Sequence, residues 1–341
     1  MSASTDRRQE TSCVRDRGLS RRELLASASA LALAACRPTP YDPRSFVRPV
    51  SSPVAILPAS SYASDLADVI WRGLRLLKLD VRGKRVFLKP NMVEYERDSA
   101  INTNAVVVAG AAHALLSAGA ASVVVGEGPG HRRDIEYLIT QTGLLDHLRD
   151  ARLRFVDLNH DDVRWVKPGS RFMGVDRLAL PVELLQCDFI VSMPKMKTHH
   201  WAGITASMKN LFGTVPGAVY GWPKNPLHTH GIENSIVDLV ATVKPALAIV
   251  DAITAMEGDG PIMGEPRHVG CLIIGADLPA VDATCARVMG VDPHKLAWLT
   301  TAGRFLGNVD LPHIEQRGEP IERYRGDFAL IEHFRDLRLV G

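Results

Sequence analysis

The chain has 341 residues, 46% of them hydrophobic, and a formal net charge of +2. That length and apolar content suffice for a sizeable core in one large or two ordinary domains and exclude a chain disordered throughout. Residues 1–35 carry six Arg and four Asp or Glu, so their removal leaves a net charge of zero, and a general nucleic-acid or polyanion surface is not expected.

The first element reads as a targeting segment. "LSRRELLASASALALAAC" sets Arg21 and Arg22 directly before an uncharged run from Leu24 to Ala35, the charged and apolar regions of a twin-arginine export signal. The run is too short to span a bilayer comfortably. An ordinary amphipathic helix is the alternative, but Leu, Ala and Ser on all sides leave it no polar face. "LAAC", ending at Cys36, resembles a lipobox, which implies membrane anchoring through that cysteine; a plain cleavage site is the other reading. The expected organisation is a signal over 1–35, a proline-rich extended tether over 36–52 and an α/β domain over 53–341. The expected location is therefore the periplasm or the cell envelope, with the twin-arginine export machinery as a partner.

From residue 53 on, short β-branched runs alternate with helical spacing. "PVAILPA", "KRVFLKPN", "ASVVVGEG", "LRFVDL", "CDFIVSMPK", "PALAIVDA" and "VGCLIIGAD" predict strands, several apolar throughout as strands covered on both faces are. "SDLADVIWRGLRLLKL", "NTNAVVVAGAAHALLSAG" and "LPAVDATCARVMG" predict helices, the second closing on Gly119. The expected fold is α/β, a largely parallel sheet with helices on both faces. Cys187, Cys271 and Cys285 sit in apolar contexts without a C-x-x-C spacing, so no cysteine-ligated iron–sulfur cluster is expected.

Ligands of open parallel sheets bind beyond the carboxyl ends of the strands, and the unusual residues follow predicted strands: Lys89 and Asn91, Glu127, the loop Lys195 to His200, Asp251, Glu257 and Asp259, and Asp277. "KPN" and "GEGPG" also read as turns, and Asp277 before Leu278-Pro279 as a helix cap. "EGDGP" interleaves two carboxylates with glycines, which suits close approach to a cation or a solvated turn. The densest stretch is "PKMKTHHWAGITASMKN", with Lys195, Lys197, His199, His200 and Lys209; no acid occurs between Asp188 and Glu233. "GITASMKNLFG" predicts a helix whose first turn would offer free N–H groups to an anion. His228 and His230 in "PLHTHG" would share one side of an extended segment, so His200, His228, His230, Glu257 and Asp259 are candidate metal ligands.

"FLKPN", "VVVGEG", "PKMKTHHWAGITASMKNLFGTVPG", "MEGDGPIMG" and "GADLPAVDAT" follow one another as in the domain of unknown function 362 family, which the chain resembles over roughly residues 53–290. Many members of that family carry a ferredoxin-like module whose cysteines are missing here. "HHWAGITASMK" is also similar to the H-x-x-A-G-x-[ST]-x-x-x-K segment of the nickel-pincer lactate racemase family. That resemblance implies a catalytic acid/base at His199 and, at Lys209, a lysine joined to a metal-bearing cofactor; Ala206 and Ser207 stand where glycines are usual. The expected site binds a small anionic molecule through Lys89, Asn91, Glu127, Lys195, Lys197 and Asn210, with a metal ion or a lysine-tethered metal cofactor. Its expected chemistry is proton or hydride abstraction beside a carboxylate, and the alternative is a non-catalytic solute-binding or scaffold protein.

Overall fold

Twelve strands follow one another in the computed structural model, which describes residues 39–130, 134–222 and 224–340. They are β1 Ser52–Pro58, β2 Arg85–Pro90, β3 Ser122–Glu127, β4 Arg154–Asp157, β5 Val163–Val166, β6 Leu178–Pro181, β7 Phe189–Met193, β8 Lys195–His199, β9 Gly203–Thr205, β10 Leu247–Asp259, β11 Met263–Gly275 and β12 Ile314–Gly318. The export signal and Cys36 lie outside the described residues. Among those residues no helix is long and apolar enough to cross a membrane.

Ten strands form one sheet in the order β12-β1-β11-β10-β7-β2-β3-β4, with β8 paired to β10 and β9. β2 runs parallel to β3 and β7, β3 to β4, and β10 to β7 and β8. β11 is antiparallel to both β1 and β10. The architecture is thus α/β with a mostly parallel sheet. Val54, Ile56 and Phe87 enter one apolar cluster, under the helices Ile232–Val243 and Leu278–Val288, whereas their neighbours Ala55, Leu57, Val86 and Leu88 enter another, under Leu66–Leu76 and Ala105–Ser117. Alternate side chains of a strand point to opposite faces, and with both faces covered no polar alternation survives in the sequence. Full burial of one such side chain, Phe87, contributes about 1.5–3 kcal/mol.

The helices start where their caps predict. Asp65 accepts from the Asp68 N–H, Asn104 from Val106 and Asp277 from Ala280, each satisfying a first-turn donor. Gly119, at φ 97°, follows the helix Ala105–Ser117 and its Ala118 cap, a conformation that costs glycine no Cβ clash.

Several expectations are corrected. Residues from Tyr41 on are not an extended tether: Tyr41 stacks on Phe305 with ring centroids 3.9 Å apart and Phe46 meets the same ring edge-on, an apolar gain that outweighs chain freedom. The segment from Lys195 is strand β8 rather than a loop, held between β10 and β9. The expected helix over "GITASMKNLFG" is β9 followed by a 3-10 turn, Lys209–Thr214. Asp282 accounts for the break, because its carboxylate takes the backbone N–H groups of Ser207 and Met208. Glu257 and Asp259 lie within β10, near the tip of its hairpin with β11, rather than in a loop.

β2 leads on to β3 through the helix Ala105–Ser117 on one face of the sheet, whereas its neighbour β7 leads on, through the helix Ile232–Val243 on the opposite face, to β10 on the other side. Neighbouring strands whose connections leave in opposite directions open a crevice at their carboxyl ends. Lys89 ends β2 and Glu127 ends β3 at that crevice.

Candidate functional site

A cavity of about 280 Å³ opens there, roofed by β8 and the 3-10 turn and lined by Lys89, Glu127, Lys197, His199, Lys209 and Lys224 among others. Its floor is a closed ion-pair network. The Lys89 ammonium donates to Glu127 Oε2 at 2.6 Å, to the Pro90 carbonyl at 2.9 Å and to Asn210 Oδ1 at 3.1 Å, which uses all three of its protons. Glu127 also accepts the N–H groups of Met92 and Gly128. Lys89, Glu127 and Asn210 were expected to grip substrate; they are fully engaged with one another and form the frame of the site. Gly213 is required above them, because a Cβ there would stand 1.8 Å from Glu127 Oε1.

Lys195 is also corrected. It lies outside the cavity, buried against Asp251 at 2.5 Å and the Tyr62 hydroxyl at 2.8 Å. Burial works against its charge, but Asp251 and Tyr62 overcome it and the pKa is raised.

Lys197, two residues on and on the same face of β8, has no carboxylate partner among the described residues. Its fully buried ammonium donates to the carbonyls of Ile101 at 2.7 Å and Pro261 at 3.3 Å. Burial, then the Lys209 and Lys195 charges, push its pKa well below the usual lysine value. Lys224 is held in the same way, by the carbonyls of Gly128 at 2.6 Å and Phe212 at 3.0 Å. Burial lowers its pKa to about 7 despite the attraction of Glu127. Lys209 is partly exposed and sits with Nζ 3.8 Å from the Phe212 ring centroid. Desolvation and the Lys89 ammonium bring it to about 7 as well. Beside these lysines two buried polar atoms of the lining, Asn91 Oδ1 and Thr205 Oγ1, have no hydrogen-bond partner among the described residues. Native structures rarely leave such groups unmade, and a ligand with both donors and acceptors would satisfy them.

The histidines separate. His199 Nδ1 accepts from the N–H groups of Trp201 at 3.1 Å and Ala202 at 3.3 Å. These two donors assign the neutral tautomer with its proton on Nε2. Burial and the surrounding lysine and histidine charges push the His199 pKa well below its usual value, so the ring is a neutral donor at Nε2 rather than a base. His200, half exposed, has Nδ1 3.5 Å from Asp259. His228 lines the cavity, its ring 5.1 Å from that of Trp201. His230 does not join it: Asn225–Thr229 is a short helix with His230 as its exposed C-cap, and an i, i+2 pair on a helix points in different directions. Glu257 is turned away to Arg267 at 2.6 Å and the Ala329 N–H. Among the described residues no group of three or more His, Cys, Asp or Glu is placed to hold a metal ion, so the set His200, His228, His230, Glu257 and Asp259 is not assembled. Lys209, a partly exposed amine with a low pKa, does fit an amine that forms a covalent adduct.

Sequence reasoning missed Lys224, Thr205, Trp201 and the apolar wall of Met92, Val93 and Ile262. Thr205 stood inside the quoted motif at its [ST] position. Lys224 carried no local signal; its left-handed φ of 65° and its two carbonyl partners are tertiary facts. Asp282 was missed too, although it accepts from Ser207 and Met208 and so sets the turn from which Lys209 projects. Burial raises its pKa to about 7.

The model of the domain of unknown function family DUF362 matches residues 86–287, and the chain belongs to that family. A thylakoid-associated protein of Synechocystis sp. is 30% identical over 228 residues, which cover 65% of this chain and 68% of that one. Among solved structures, a Thermotoga maritima protein from a structural genomics consortium is 15% identical with a TM-score of 0.38, over 64% of this chain and 58% of that one. The lactate racemase apoprotein of Thermoanaerobacterium thermosaccharolyticum is 12% identical with a TM-score of 0.38, over 63% and 53%. The chain therefore spans less than two thirds of each of these two structures.

Proposed function

We propose that the cavity binds a small anion, a carboxylate or a phosphate, through Lys197 and Lys224, and that beside it Lys209 accepts a proton while His199 donates a hydrogen bond. The observation that carries this reading is three lysine amines, none with a carboxylate partner among the described residues, lining one cavity with two unsatisfied polar atoms. An incoming anion supplies the missing counter-charge and raises the pKa of each lysine it touches. Uncharged Lys209 is the group able to accept a proton from the carbon next to a carboxylate. His199, neutral with its proton on Nε2, donates a hydrogen bond to the oxygen on which negative charge develops. The lysine-tethered cofactor implied by the sequence resemblance would, when bound at Lys209, supply a hydride acceptor. The same reading includes export through the signal at Arg21 and Arg22 and anchoring through Cys36. Undiminished export of a variant with both arginines replaced by Lys, or unchanged membrane association of Cys36→Ala, would remove those two parts.

A non-catalytic binding protein is the second reading, favoured by the capture of His199 Nδ1 by backbone N–H groups, which removes its use as a base. Calorimetric titration of the purified protein with phosphate and with lactate tests the site itself. Saturable one-to-one binding is expected, and the absence of heat at millimolar concentrations of both would overturn it. His199→Gln separates the two readings: a binder keeps its affinity with nothing else to lose, whereas in an enzyme the variant binds but stops exchanging the α-hydrogen of lactate with deuterated solvent.

A further inference from the structure

Lys209 differs from the other lysines of the cavity in what its nitrogen touches. Lys89 donates to three acceptors, and Lys197 and Lys224 to two carbonyls each. Among the described residues Lys209 Nζ donates to none; it faces the Phe212 ring instead, on a side chain that keeps part of its surface open. An amine with no acceptor to hold its protons, near other ammonium groups and reachable from a cavity, has the position of a nucleophile. His199, whose ring donates from Nε2, lines the same cavity as the amine. Met92, Val93 and Ile262 line the same cavity, and such side chains keep bulk water from a reacting group.

We propose that Lys209 forms an imine with the carbonyl of a small anionic ketone or aldehyde, with 2-oxo acids as the substrate class. This rests on the reading of the cavity as an anion site, since Lys197 and Lys224 would hold the carboxylate while the adjacent carbonyl carbon meets Lys209. The amine lone pair forms the C–N bond and the carbonyl π pair moves to oxygen, which accepts a hydrogen bond from His199 Nε2. One nitrogen proton passes to that oxygen, and the second joins it as the C–O bond breaks, so that the oxygen departs as water. The balance is amine plus carbonyl to imine plus water, with no change of oxidation state. The imine then draws electrons from the neighbouring carbon, so its C–H bond becomes acidic.

The test is borohydride trapping in the presence of pyruvate, read by intact-protein and peptide mass spectrometry, with phosphate and lactate binding measured on the same preparation. One reduced pyruvyl group on Lys209 is expected, formed about tenfold or more faster than on any surface lysine and suppressed by phosphate. Lys209→Arg should lose the adduct while still binding phosphate, because guanidinium keeps its charge and forms no imine. Should that variant not fold, phosphate protection of Lys209 in the parent protein carries the same information. Anion binding without an adduct at Lys209 overturns the imine and leaves the anion site standing. Neither binding nor adduct overturns both, and labelling spread over surface lysines that phosphate does not suppress overturns the imine as well.

Discussion

Lys195 and Lys197 stand two residues apart on the same face of β8, both buried, and have opposite fates. Lys195 meets Asp251, and its charge belongs to the architecture. Among the described residues Lys197 meets only carbonyl oxygens, so its neutral form is favoured until something enters the cavity. The contrast extends across the site, with Lys89–Glu127 on the paired side and Lys209 and Lys224 on the unpaired side. A buried lysine is thus evidence for a ligand only after its counter-ion has been sought. Isolated ions are too costly to bury without a compensating group or a shifted pKa.

The largest effect expected from this contrast is on the paired side. Glu127→Gln leaves the Lys89 ammonium buried without its carboxylate and should cost about 3–5 kcal/mol in urea unfolding. Asp251→Asn should behave alike through Lys195. A loss below about 1 kcal/mol in both would mean that the pairs do not hold the frame. On the unpaired side the sign should reverse: Lys197→Met removes a buried amine that has no counter-ion among the described residues, so the unliganded protein should unfold at an equal or higher temperature. Phosphate affinity should nevertheless drop about tenfold or more, the worth of a charge-assisted hydrogen bond.

pH sharpens the same contrast. The Lys224 pKa is lowered to about 7 in the folded protein, and the anion binds its charged form. Affinity should therefore be highest below pH 7 and fall above it, by at most about tenfold per pH unit. Calorimetry in buffers of different ionisation enthalpy should detect proton uptake on binding at pH 8. Without ligand the sign is opposite. The unfolded chain holds the Lys224 proton up to about pH 10.4, so the stability from its neutral form is complete above that value. It is lost as pH falls to about 7, and Lys224→Met should flatten this slope. The smallest expected effect is at Thr205. Its unpartnered hydroxyl makes Thr205→Val neutral or stabilising by up to about 1 kcal/mol, with a few-fold weaker anion binding.

Much of the frame was legible in the sequence. Continuous apolar runs such as "RVFLKP" marked strands covered on both faces, and Asp277 before Leu278-Pro279 marked a helix start. The crowding of Lys197, His199 and Lys209 without a nearby acid marked the site itself. Local pattern failed where a distant side chain intervened. "GITASMKNLFG" has helical composition, but Asp282, 75 residues from Ser207, takes the N–H groups its first turn would use.

The sequence by itself determined the alternation of strands and helices, the caps and the basic motif at the end of β7, because periodicity and capping act over a few residues. Only the tertiary structure decided which lysines are spent and which are free. Lys89 finds Glu127 38 residues away and Lys195 finds Asp251 56 residues away, whereas Lys209 finds no acceptor among the described residues. A charge can be balanced by any group within a few ångströms regardless of its place in the chain, and that distance is set by how the sheet and its helices pack.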